Sequence, residues 1–106
     1  MSKKVKIFIS QPMRGKTTYE ILEEREKAIK RVKKEFGRDA EIIESFFDDY
    51  NPITGSIPLK YLAKSIELLA DADVVYFCKG WSDYRGCRME YLCASNYDIK
   101  IMKYDD

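Results

Sequence analysis

Histidine is absent from the 106-residue chain. That removes the Ser-His-Asp triad, the Cys-His pair, the HExxH zinc site and the imidazole general base. Acid–base chemistry near neutral pH is left to carboxylates, lysine, cysteine or tyrosine. Cysteine is scarce and odd in number: Cys78, Cys87 and Cys93, with no C-x-x-C spacing. Neither a disulfide framework nor a structural metal site is indicated, and reduced thiols fit a cytoplasmic setting. No run approaches the roughly 20 apolar residues of a membrane span, so no membrane partner is expected. The opening MSKKVKIFIS is basic and then apolar. Its apolar run is too short for a signal peptide and lacks a small-residue cleavage site. A charge excess is missing too. Lys+Arg is 19 against 18 Asp+Glu, a net charge of +1. Such a balance supplies no field for gripping a nucleic-acid polymer.

What is present is a globular composition, with 45% hydrophobic and 35% charged residues. The length suits one domain spanning residues 1–106. Lys4 to Ser10 (KVKIFIS) reads as a buried strand, ended by Gln11-Pro12-Met13-Arg14-Gly15. Thr17 or Thr18 can cap a helix, and Ile21, Leu22, Ala28, Ile29, Val32 and Phe36 form its apolar stripe. Gly37 stops it. Ala40 to Ile43 is a short second strand, and Phe46 to Pro58, with Asp48 and Asp49, is a long loop. Pro58 opens a second helix bearing Leu59, Leu62, Ala63, Ile66 and Leu69. Asp73 to Cys78 is a third strand, apolar on both faces, followed by the loop Lys79 to Gly86. Met89, Tyr91, Leu92, Ala94 and Ser95 fall on a third helix, and Ile99 to Tyr104 forms a more peripheral fourth strand.

The order βαβαβαβ predicts a small doubly wound α/β domain: a parallel sheet of about four strands in a flavodoxin- or Rossmann-like three-layer sandwich. Ligands of such folds bind outside the carboxyl ends of the strands. Two loops of unusual chemistry follow strands one and three. In SQPMRGKTT, Arg14 beside Gly15 at a helix start suits a phosphate or carboxylate. The same residues also make an ordinary turn with a solvated arginine. In GWSDYRGCRMEYLCA, Gly86 precedes a helix and Glu90 falls within about its first turn. The helix dipole keeps a carboxylate there ionised, as a nucleophile or as a plain capping group. Trp81 and Tyr84 can stack on a base or cover the core. Asp73 heads an apolar strand, where it either serves the site or anchors the turn before it. The cysteines read most simply as small core or helix residues. Cys87 lies near a helix start between Arg85 and Arg88, a setting that lowers a thiol's pKa.

The segments KIFIS, QPMRGKT, ADVVYFCKGW and RGCRMEYLCA together resemble the nucleoside 2-deoxyribosyltransferase-like superfamily. The likeness runs from Lys6 to Met102 and is closest to a small branch of phage and bacterial domains. Its fold is a small doubly wound α/β domain. The resemblance implies that Glu90 is a nucleophile attacking C1′ of a ribose or 2-deoxyribose. The covalent glycosyl-enzyme would then be resolved by another base or by water, with the logic of a retaining glycosidase. It implies base contact for Asp73 and a sugar-orienting role for Asp83, whose spacing to Glu90 differs by one residue from the family pattern. Family transferases carry a tyrosine on the first strand to orient the nucleophile, and Phe8 stands at that position here. Arg14-Gly15 resembles the loop with which nucleotide N-hydrolases grip a 5′-phosphate, lined here by Ser10, Met13 and Thr17. Of the usual glycine-rich stretch before the nucleophile, Gly86 remains. The expected catalytic residues are thus Glu90, Asp73 and Asp83. The expected substrate contacts are Phe8, Ser10, Met13, Arg14, Gly15, Thr17, Trp81 and Gly86. No metal or other cofactor is called for. The expected ligand is a small nucleoside or nucleotide. A homo-oligomer is expected, because a chain this small encloses little by itself. A nucleotide-binding module without catalysis is the alternative on the same fold.

Overall fold

In the first strand, apolar side chains alternate between two cores, and that alternation organises the molecule. The computed structural model of the chain describes residues 3–46 and 50–105. Asp48 and Asp49 of the long loop, and the first two residues of the basic N-terminus, lie outside them. Strand β1 (Val5–Ser10) leads into helix α1 (Thr18–Phe36), β2 (Ala40–Ile42), α2 (Ile57–Leu69), β3 (Val74–Phe77), α3 (Arg85–Asn96) and β4 (Lys100–Lys103). The expected βαβαβαβ order is present, with short 3-10 turns added at Gly37–Asp39 and Trp81–Asp83. All strand pairs are parallel, in the order β2-β1-β3-β4.

Ile7 and Ile9 of β1 pack with Ala28 and Val32 of α1 on one face of the sheet. Phe8 points the other way and packs with Val75, Phe77, Leu69 of α2 and Ala94 of α3. The result is three layers: α1, the sheet, then α2 with α3. Every residue of β3 is buried, as its unbroken apolar run requires in a sheet covered on both faces. Each such side chain contributes about 1.5–3 kcal/mol by leaving water.

Local signals set the helix ends. Thr17 is the N-cap of α1, and with Glu20 it closes a reciprocal capping box. Gly37 caps the other end with a positive φ of 63°. Helix α2 differs slightly from the expected start. Ser56 caps it through the Leu59 N–H, so the helix begins at Ile57 and Pro58 takes the second position. Helix α3 differs more. Its N-cap is Tyr84, so Gly86 lies inside the first turn and does not precede the helix. Leu22 and Leu59, assigned to apolar stripes, are exposed, and the stripe of α1 contains buried Arg25 instead.

Candidate functional site

Sheet order decides where a ligand can enter. The chain leaves β1 toward β2 on one side and reaches β3 on the other, so the loops after β1 and β3 diverge. The crevice between them is the usual binding position in an open α/β sheet. Here it is a cavity of about 980 Å³, lined among others by Phe8, Arg14, Asp83, Arg85, Gly86 and Glu90. Two parts of the sequence far apart along the chain therefore share one site.

Glu90 sits at its floor. The carboxyl group is buried against the end of β1, and the Ser10 hydroxyl donates to its Oε1 at 2.6 Å. Counting from Tyr84, Glu90 belongs to the second turn of α3, beyond the reach of the helix-end field. The expectation of a carboxylate kept ionised by the dipole is therefore corrected. Burial pushes the Glu90 carboxyl up to about 7, opposed by the hydrogen bond from Ser10. It is no capping group either. Cys87, one turn earlier, touches the same hydroxyl, and burial raises its thiol to about 12. The flanking arginines do not activate it, because both side chains are exposed while the thiol is 4% exposed. Cys78 is likewise raised to about 12 by burial.

The loop after β1 forms a tight turn from Met13 to Lys16, closed by the Lys16 N–H on the Met13 carbonyl at 3.1 Å. Gly15 holds its third position at φ 80°, the left-handed backbone that a turn of this type demands. Arg14 occupies the preceding corner, exposed on the rim of the crevice, and Met13 lines the same wall. Asp83 reaches the crevice from the 3-10 turn, whose start at Gly80 has φ 84°.

Four expected site residues are elsewhere. Asp73 lies at the opposite, amino end of the sheet, where its Oδ2 accepts the Lys6 backbone N–H at 2.9 Å. It anchors the entry of β3 beside β1, and its assignment to the catalytic set is corrected. Trp81 stacks on Tyr91 at 4.8 Å between ring centroids and packs against Phe77, covering the core. Lys103 lies over both rings. Thr17 spends its hydroxyl on the cap of α1. Gly15 shapes the turn and is not among the lining residues. The structure thus brings together Phe8, Ser10, Met13, Arg14, Asp83, Gly86 and Glu90.

Two contributors escaped the sequence reading. Gln11 is 5% exposed and lines the crevice; its amide N–H donates to the Ile21 carbonyl at 2.9 Å, leaving Oε1 buried without a partner. Arg25 reaches under the site, donating to Ser45 Oγ at 3.0 Å and to the Ile43 carbonyl at 2.9 Å. Ser45 in turn donates to the Ile9 carbonyl, so the loop after β2 is pinned to the end of β1. Desolvation lowers the Arg25 pKa. The spacing Ile21, Arg25, Ala28, Val32 was the available signal, since it continues the buried stripe. Among the described residues no His/Cys/Asp/Glu cluster could hold a metal. No described helix is long and apolar enough to cross a membrane.

Fold and site together define a small doubly wound α/β domain with a buried, hydrogen-bonded carboxyl group at its switch point. The chain belongs to the family described as a domain of unknown function (DUF4406), whose model matches residues 5–103. No curated protein and no solved structure matches it.

Proposed function

We propose that the chain cleaves or exchanges the N-glycosidic bond of a (deoxy)nucleoside or nucleoside 5′-monophosphate, with Glu90 as nucleophile. The observation that carries this reading is the Glu90 carboxyl group, buried at the switch-point crevice and held by Ser10. The resemblance to nucleoside 2-deoxyribosyltransferase-like proteins supports it. The Glu90 carboxylate attacks C1′ while the bond from C1′ to the base nitrogen breaks. The electron pair leaves on the base, which takes a proton from solvent. Water or a second base then attacks C1′ and returns Glu90 to its free form. Asp83 orients a sugar hydroxyl. Arg14, at the corner of its turn, takes the 5′-phosphate as a forked cation. No metal or other cofactor enters the reaction.

Incubating the protein with each nucleoside and nucleoside 5′-monophosphate, with and without an acceptor base, and following base by chromatography is the test. Released or exchanged base that disappears in Glu90→Gln is the expected result. Release undiminished in that variant, or none in any mixture, would sink the reading.

The second reading is a nucleotide-binding module without turnover. A specific feature favours it: burial raises the Glu90 carboxyl to about 7, and the protonated form that burial favours is a poor nucleophile. Equal nucleotide affinity in wild type and Glu90→Gln, with no base released, identifies that case. The protein acts in the cytoplasm, as a homo-oligomer. Support for association comes from Met89 and Leu92 exposed on α3, Leu59 on α2 and Tyr104 after the edge strand β4. A monomer mass in light scattering would count against it.

A further inference from the structure

The geometry points to Ser10 as the positioning residue of Glu90, one that engages Oε1 and leaves Oε2 as the attacking oxygen. This rests on the reading of Glu90 as nucleophile. It also changes the role of Ser10 from a substrate contact to a support beneath the reacting group.

The Ser10 hydroxyl and the Glu90 carboxyl group meet at 2.6 Å, and the residues are 1% and 7% exposed. Ser10 has little freedom to move. It pairs with Phe77 in the centre of the sheet, and its carbonyl accepts the Cys78 N–H at 3.0 Å. A serine hydroxyl has one proton to give and lone pairs to receive. With that proton on Glu90, the hydroxyl has none left for the Cys87 thiol, its neighbour one turn earlier on α3. Phe8, two residues before Ser10 on the same strand face, offers no competing donor.

This arrangement assigns different work to the two carboxylate oxygens. Oε2 forms the bond to C1′ as the bond to the base breaks and its electron pair departs with the base. Oε1 becomes the carbonyl oxygen of the glycosyl ester and keeps accepting from Ser10. When water or a second base attacks C1′, the electrons of the ester C1′–O bond return to the carboxylate. Ser10 then stabilises the charge that reappears. The hydroxyl also favours the ionised form against its burial, which raises the fraction of Glu90 ready to attack. Besides Cys87, the other ionisable groups lining the crevice are Asp83 from the 3-10 turn, Tyr84 and Arg85 at the start of α3, Arg14 from the loop after β1, and Tyr61 from α2.

The test separates position from turnover. In protein carrying carboxyl-¹³C glutamate, Glu90 is assigned by its loss in Glu90→Gln and titrated by NMR. Ser10→Ala is expected to raise its midpoint by about one unit or more. Ser10→Cys, similar in size with a weaker donor, is expected to fall between. In base release from nucleoside 5′-monophosphates, Ser10→Ala is expected to lower kcat about tenfold or more, leave KM within about twofold, and move the acid limb of the pH profile upward. An unmoved midpoint in a folded Ser10→Ala protein overturns the proposal, as does a raised KM with unchanged kcat. Should the alanine variant not fold, the cysteine variant carries the same titration. Absence of base release from wild type defeats the glycosidase reading alone, because the titration still reads whether Ser10 holds Glu90.

Discussion

Glu90 links the site to the stability of the whole chain. Its carboxyl group titrates near 4.5 when unfolded and about 7 when folded, because burial disfavours the charge. The raised folded value means that the folded state holds the proton more tightly. That contribution is fully present below about pH 4.5 and is lost as pH rises through about 7. The difference corresponds to roughly 3 kcal/mol across that window. Urea unfolding at pH 5 and pH 8 is expected to show Glu90→Gln without this loss, and more stable than wild type at pH 8. An equal slope in both proteins would contradict it. Asp73 behaves differently, because its carboxylate accepts the Lys6 N–H at the far end of the sheet. Asp73→Ala is expected to cost about 1 kcal/mol in urea unfolding and to leave nucleotide affinity unchanged. Sequence alone left Asp73 divided between site and anchor, since a carboxylate at a strand entry satisfies either. Only its position relative to the crevice decides. Gln11 was invisible for the opposite reason: a polar residue beside proline reads as solvated loop, and its burial depends on α1 folding back over it.

At the scale of elements, the order of strands and helices was legible because their periodicities differ and breakers separate them. The depth of Glu90 in α3 was not. Gly86 reads as a start signal, yet Tyr84 caps the helix with no side-chain hydrogen bond to mark it. A shift of two residues moved Glu90 from a dipole-stabilised first turn to a buried second one, and reversed the direction of its pKa. The start of α1 was legible to within one residue, Thr17 or Thr18, because either hydroxyl can cap; Glu20, closing the capping box, settles it on Thr17. Thr17→Ala is expected to lower stability by about 1 kcal/mol, read by urea unfolding. The turn before it is expected to be as sensitive. Gly15→Ala places a methyl on a backbone at φ 80°, at a cost of about 1–2 kcal/mol in stability, although nothing lies near enough to clash with it. In the same turn, Arg14→Ala is expected to weaken nucleoside 5′-monophosphate binding about tenfold while leaving the unphosphorylated nucleoside unaffected, measured by calorimetry.

At the scale of the molecule, three reduced cysteines could have suggested a reactive surface. The fold buries Cys78 and Cys87 at the centre instead, with both thiols raised to about 12. Thiol titration at pH 8 is expected to find these two silent until denaturant is added. That centre has a further consequence. β1 and β3 are flanked by β2 and β4, so the strand that supplies Ser10 is among the last parts to open. Fraying at the sheet edges therefore leaves the carboxylate support intact. The amides of Ile9 and Tyr76 should exchange with solvent only through global unfolding. Thermal inactivation should then follow the same curve as loss of secondary structure, with no cooler step in which the site fails first.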